Sequence, residues 1–357
     1  MSPEDKSQVF LTGSSDRPAA IGRLFEHAGL GDLTGKRVAL KANFNSADAF
    51  PASTHPDTVR AIVTLLKKAG ACAITVADRS GMGDTRENLS RLGIFALAKE
   101  LGFSVVVLPE ERAERWTHVE PGRLLKKDVS PPGRDGHVQD KDAKSVNSSA
   151  IDATEDEVLC RPVRSGGRDF VFQQPPHGTH WQKGFYLTKV VLEADVVVQI
   201  CCLKTHGYGG HFTMSLKNSV GLVAKNMARD DHDYMRELHG SPSQRLMVAE
   251  INAAYPVDFV IMDAAKAFID GGPDRGTEVE PGLMLASKDR VALDAAGVAL
   301  LREFGNTSLP KQPVFELDQI RRAAELGVGV GSAAAMELVP LDDQGRRAAE
   351  RIQARLV

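Results

Sequence analysis

The feature that most constrains this fold is the rhythm of residues 36–111, where short apolar runs alternate with segments of helical period. KRVALKANF (36–44) reads as a buried strand entering a polar loop. TVRAIVTLLKKAG follows with apolar residues at helical spacing and Gly70 as a stop. Pro56 suits the first turn of that helix, with Thr54 or His55 near its cap. ACAITVADRSG (71–81) predicts a second strand, FALAKELG a helix, and FSVVVLPEE (103–111) a third strand. Strands that alternate with helices predict parallel pairing in a doubly wound sheet.

The rhythm breaks over 112–185, a stretch rich in Pro, Gly, Ser and charge, where DEVLCRPV and RDFVFQQP read as short strands of an antiparallel excursion. It resumes with a strand over 190–203, a glycine-rich loop, a helix over 242–256 and a strand over 257–268 carrying Asp263. A turn cluster (270–276), a short strand (283–289), a helix (290–305) and two further helical segments complete the chain. The expected fold is α/β, a mostly parallel, doubly wound, Rossmann-like three-layer sheet with an inserted or second smaller α/β subdomain. Its expected divisions are a lead-in (1–35), a first lobe (36–111), an insertion (112–185), a second α/β part (186–331) and a helical tail (332–357).

Composition excludes several classes. The net charge of -3 provides no basic face for nucleic acid. The longest apolar runs are interrupted by acids and too short to span a bilayer. MSPEDKSQVFLTG has no basic segment leading into an apolar one, so a cytoplasmic location away from membranes is expected. Cysteines stand at 72, 160, 201 and 202 with no CxxC pair, which argues against a disulfide scaffold, a zinc ribbon or an iron–sulfur module. Adjacent Cys201 and Cys202 read as small buried residues at a strand end.

Ligands of open α/β sheets bind outside the C-terminal ends of the strands. Here those ends carry Lys41 and Asn43, then Asp78, Arg79 and Ser80, then Lys204, Thr205 and His206, and Asp263. The densest loop is LKTHGYGGHFTMSLKN. Gly207, Gly209 and Gly210 permit close approach of backbone to a ligand. Lys204 and Lys217 would neutralise a carboxylate or phosphate, while His206 and His211 offer proton transfer or metal ligation. Thr213, Ser215 and Asn218 add neutral hydrogen bonding, and a helix starting near Thr213 would turn its amides toward an anion. No Walker sequence, no GxGxxG after a first strand and no GxSxG is present.

Other clusters carry less. His177 and His180 have a metal-compatible spacing but need ligands from elsewhere. Asp230 to Asp233 read more simply as the cap of a helix leading to His239, Asp289 as the cap of the 290–305 helix, and Gly271-Gly272-Pro273 as a tight turn.

An ordered set of these pieces resembles a widespread prokaryotic family, domain of unknown function 362, from about Val38 to Gly331. It comprises Lys41-x-Asn43, Thr54-His55-Pro56-Asp57, Asp78 with a nearby Ser-Gly, Asp195, Leu203-Lys204-Thr205-His206 and Leu216-Lys217-Asn218 with Gly221. Asp263, Gly271-Gly272-Pro273 and Ser287-x-Asp289-x-Val291-Ala292-Leu293-Asp294 complete it. The resemblance implies an α/β fold and no settled activity. It also implies that many relatives append a four-cysteine iron–sulfur module, which this sequence lacks, and carry a proline and a basic or polar residue where Cys201 and Cys202 stand. The order of acid, apolar strand, histidine, glycines and lysine is similar, more distantly, to the nickel-pincer lactate racemases.

These residues together lead to the expectation of an enzyme acting on a small anionic molecule. Lys204 and Lys217 would hold the anion with Lys41, Asn43, Ser80, Thr205, Asn218, Gly209 and Gly210 around it. His206 and His211 would move protons, and Asp78 and Asp263 with His206 would bind a divalent metal or nickel-type cofactor. The alternatives are a non-catalytic accessory protein that binds a metal or cofactor, and a redox protein working with a separate ferredoxin. A second copy of the chain is a further partner considered.

Overall fold

The computed structural model describes residues 6–120, 178–228, 230–305 and 307–356. Its first elements are β1 (Ser7–Gly13), α1 (Arg17–Ala28), β2 (Arg37–Lys41), α2 (Pro56–Lys68), β3 (Ala73–Asp78), α3 (Thr85–Arg91), α4 (Ile94–Leu101), β4 (Ser104–Val107) and β5 (Trp116–Val119). There follow β6 (Phe185–Thr188), α5 (Lys189–Leu192), β7 (Val196–His206), β8 (His211–Phe212), α6 (Ser215–Asn218), α7 (Tyr234–Gly240) and α8 (Gln244–Asn252). The last are β9 (Phe259–Phe268), β10 (Glu278–Val279), β11 (Leu283–Ser287), α9 (Arg290–Glu303), α10 (Asp318–Glu325), β12 (Met336–Pro340) and α11 (Asp343–Gln353).

One sheet runs in the order β12-β1-β11-β9-β7-β2-β3-β4, with β8 and β10 pairing on β7 and β9. β4, β3, β2, β7 and β9 are mutually parallel, and β12 is parallel to β1. β11 is antiparallel to both its neighbours, so along this path it alone opposes the rest. A separate antiparallel pair, β5 with β6, packs nearby. Alternate residues serve opposite layers: Val198 and Ile200 pack with α1, α2 and α4, whereas Val197 packs with α7 and α8 and Cys201 with α9. That two-sided burial explains why the central strands read as continuous apolar runs. Among the described residues no helix is long and apolar enough to cross a membrane.

Four expectations change. Residues 7–28, assigned to a lead-in, supply β1 and α1, and Asp16 caps α1 by accepting from Ala19 N at 3.0 Å. The strand expected over 190–203 begins instead with the one-turn α5, capped by Thr188, and the true strand runs from Val196 to His206. Lys204, Thr205 and His206 are therefore strand residues, paired with β9 and β8, rather than loop residues. The tail over 332–357 contains β12 as well as α11. The expected strands DEVLCRPV and RDFVFQQP, and His177, lie outside the described residues.

The helix expected near Thr213 is a single turn, α6, and its first amides are already occupied. Asp294, wholly buried in α9, accepts from Ser215 N at 2.8 Å and Leu216 N at 3.0 Å. This internal carboxylate takes the place of an external anion. Burial outweighs the two hydrogen bonds and pushes the Asp294 carboxyl up to about 7. A raised acid keeps its proton in the folded state while the unfolded chain loses it. Stability from this group is full below about pH 4 and declines as pH rises toward 7. Thermal unfolding from pH 4 to 8 should show this decline in the natural chain and a flatter profile in Asp294→Asn.

Candidate functional site

The C-terminal ends of β2, β3 and β7 meet α6 and α7 around two connected spaces. One is a cleft of about 1000 Å³ and the other a polar cavity of about 70 Å³. Asn45, Arg79, Gly81, His206, His239 and Pro273 line both. With a water occupying about 30 Å³ in the liquid, the small cavity has room for about two waters or the charged head of a small acid.

Its floor is a buried ion pair. Lys41 Nζ lies 3.0 Å from Asp78 Oδ1, and both side chains are 2% exposed. Lys41 Nζ also donates to Asn218 Oδ1 at 2.9 Å and to the carbonyl of Ala42, while Asp78 Oδ2 accepts from Phe44 N at 3.0 Å. Asn218 Nδ2 returns to the carbonyls of Ile200 and Lys41. Gly221 is required here, because a Cβ at this position would sit 2.5 Å from Asp78 Oδ1 and 2.9 Å from Lys41 Nζ. Burial pushes the Lys41 ammonium down, against the pull of Asp78.

Two more cations are satisfied by backbone. Lys204 Nζ donates to the carbonyls of Ala52 and Pro273, the second at 3.0 Å, and burial lowers its ammonium to about 8. Arg79 gives N–H groups to the carbonyls of Val220, Val223 and Ser80 and to Met235 Sδ, which leaves one Nη1 proton over. Burial lowers this guanidinium to about 10.

Lys217 differs from both. It is 6% exposed and lines the small cavity, and among the described residues its ammonium makes no hydrogen bond or ion pair. Burial, and secondly the charge of Arg79, push it down to about 8. His206 stands beside it: a Cβ on Gly210 would meet His206 Nδ1 at 2.8 Å and Lys217 Cε at 3.0 Å, so only glycine leaves both their room. Burial, with the charge of Lys217 next, holds His206 down to about 2, so its imidazole is neutral. His206 Nδ1 accepts from Tyr208 N at 3.3 Å, which assigns the proton to Nε2. His239 has the opposite tautomer. Its Nδ1 donates to the Met235 carbonyl at 2.7 Å, and burial and Lys217 favour the neutral ring, which leaves Nε2 with a free lone pair. The cavity is thus lined by a free ammonium, a ring that donates and a ring that accepts.

Several expected site residues have structural employment. Ser80 Oγ donates to the Phe44 carbonyl at 2.6 Å, and Thr205 Oγ1 to the Phe268 carbonyl at 3.2 Å. Asn43 lines the small cavity, but its amide donates to the Ala52 carbonyl at 3.0 Å and to Cys202 Sγ at 3.7 Å. Gly209 takes a left-handed φ of +75° and offers its carbonyl to Arg245. His211 lines neither space and lies near Arg245 and Asp318, so it is not brought to the site. Cys201 and Cys202 are buried, and burial pushes both thiols up.

The metal set does not assemble. Asp263 lines neither space; it takes Arg17 Nε at 3.0 Å, Thr58 Oγ1 at 2.7 Å and Ala265 N at 3.1 Å. Asp78 is committed to Lys41 and Phe44 N. Among the described residues no group of three or more His, Cys, Asp or Glu side chains is placed to hold a metal ion. These residues do not fit a divalent ion or a nickel-type cofactor held by protein ligands.

The residue that reading the sequence left out of the site is His239. Asp233, the cap of α7, was the available signal, since it starts the helix that carries this ring to the cleft. Compared with known proteins, residues 38–131 and 135–299 match the model of a family described as a domain of unknown function, DUF362. A thylakoid-associated protein of Synechocystis sp. is 34% identical over 110 residues, which are 30% of this chain and 33% of that protein. The match spans about a third of the length of that relative.

Proposed function

This chain belongs to the family of domain of unknown function 362, and from the geometry of its strand-end cavity we propose that it is an enzyme acting on a small carboxylate or phosphate by lysine and histidine acid–base chemistry. The observation that carries this reading is Lys217, a 6% exposed lysine whose ammonium has no partner among the described residues and which stands beside two neutral imidazoles of opposite tautomer. An unpaired buried cation is destabilising, so an anion entering the cavity gains an interaction that no protein group supplies. Arg79, with its leftover proton, adds a second cationic wall. His239 Nε2 is the base and His206 Nε2–H the hydrogen-bond donor. Lys41, Asp78 and Asn218 form the floor of the cavity and Lys204 lies outside it, and all four are engaged by one another or by backbone. The proposed place of work is the cytoplasm; the thylakoid association belongs to the Synechocystis protein.

Titration calorimetry with acetate, pyruvate and inorganic phosphate tests the site. Binding of at least one of these is expected to weaken about ten- to a hundredfold in Lys217→Met, the loss of one charge-assisted hydrogen bond, and to be unchanged in Lys68→Met, at the exposed end of α2. Equal binding by Lys217→Met and the natural chain would sink the reading.

A further inference from the structure

Three lysines are buried at this sheet edge, and their partners separate them. Lys41 is held by Asp78, Asn218 and the Ala42 carbonyl, and Lys204 by the carbonyls of Ala52 and Pro273. Each of these nitrogens is committed to acceptors that keep its protons engaged. Among the described residues Lys217 has none, and it lines a cavity that shares walls with a cleft of about 1000 Å³. A buried amine next to another fixed cation, here Arg79, is the arrangement that frees a lysine lone pair near neutral pH.

We propose that Lys217 is a carbonyl-reactive amine that forms an imine with a small oxo acid, the site's substrate class. This rests on the anion-binding reading above and deepens it: the carboxylate sits against Arg79, and the carbonyl carbon faces Lys217. The Nζ lone pair attacks that carbon, a C–N bond forms, and the C=O π pair moves to oxygen. His206 Nε2–H supports the developing oxyanion. His239 Nε2 takes a proton from the nitrogen and returns it to the oxygen, giving a neutral carbinolamine. The hydroxyl leaves as water with one further proton from solvent, and the nitrogen lone pair closes C=N⁺. Amine, carbonyl and one proton become protonated imine and water, with no change of oxidation state.

Reductive trapping tests this on the full chain. The protein is incubated with cyanoborohydride and either pyruvate or neutral propionaldehyde, at pH 7 and pH 8.5, and peptides are mapped by mass spectrometry. Pyruvate binding is followed in parallel by calorimetry. The expected result is pyruvate labelling of Lys217 on the order of tenfold or more faster than of exposed Lys68 or Lys99, because more of its amine is free at pH 7. His239→Asn is expected to slow labelling at Lys217 and leave Lys68 unchanged. Pyruvate that binds in a Lys217-dependent manner yet labels Lys217 no faster than Lys68 overturns the imine and leaves the anion reading standing. Fast labelling by propionaldehyde, with pyruvate neither binding nor labelling, overturns the oxo-acid imine together with the anion reading and leaves only a reactive amine. Failure of both probes to bind or label Lys217 removes both.

Discussion

Lys217→Met is expected to raise stability at pH 7, on the order of 2–3 kcal/mol, while weakening anion binding about ten- to a hundredfold. The natural side chain keeps an ammonium in a buried cavity without a counter-charge, and a thioether of similar length removes that penalty. The sign with pH is fixed by linkage. The folded-state value, about 8, lies below the ordinary lysine value of 10.5, so between them the unfolded chain holds more protons. Stability of the natural chain therefore rises relative to Lys217→Met as pH climbs from about 8 to 10.5, and the gap between them closes. Urea unfolding at pH 7 and pH 10 checks both statements. A Met variant less stable than the natural chain at pH 7 would mean that Lys217 has a structural task, and the site would lose its central residue.

Asp78→Ala is expected to do the opposite, with a loss of about 3–5 kcal/mol, the range for breaking a buried pair by removing one partner. Lys41 would lose its counter-charge at 2% exposure and be left with only neutral acceptors, and Phe44 N would lose its bond. Lys41→Met combined with Asp78→Asn should lose less than Asp78→Ala alone, since the charge is gone and an acceptor for Phe44 N remains. Denaturant midpoints of the three proteins decide it. A double variant as unstable as Asp78→Ala would locate the cost in packing against Gly221 instead.

Lys41 and Lys217 look alike in the chain, and only their tertiary contacts separate them. β2, β3 and β9 were legible because strands buried on both faces leave unbroken apolar runs, and β4, a half-exposed edge strand, because of its three valines. β1 and β12 are no shorter than β2, but it is pairing with neighbours in the sheet that makes them strands. The gathering of Lys41, Asp78, Lys204 and His206 at one edge followed from parallel pairing alone. Which lysine is free did not follow, because Lys204 is tied by carbonyls of Ala52 and Pro273 and Lys41 by Asn218, all far away in sequence. The departure of Asp263 has the same origin: Arg17 and Thr58, from α1 and α2, claim its carboxylate. For His239 the Asp233 cap marks the start of α7, but the docking of that helix at the cleft is tertiary and has no local sequence pattern.

The place of β1 also orders events during synthesis. Its neighbours are β11 and β12, with Val9 opposite Ser287 on one side and Leu338 on the other. A ribosome exposes Ser7–Gly13 long before it has made either partner. β2, β3 and β4 can pair while still nascent, but the apolar strand preceding them stays unseated until residue 340 has emerged. Until β11 is made β1 presents two bare edges, and until β12 is made one, so a nascent chain stalled before β11 is the form of this protein most exposed to aggregation and to capture by chaperones.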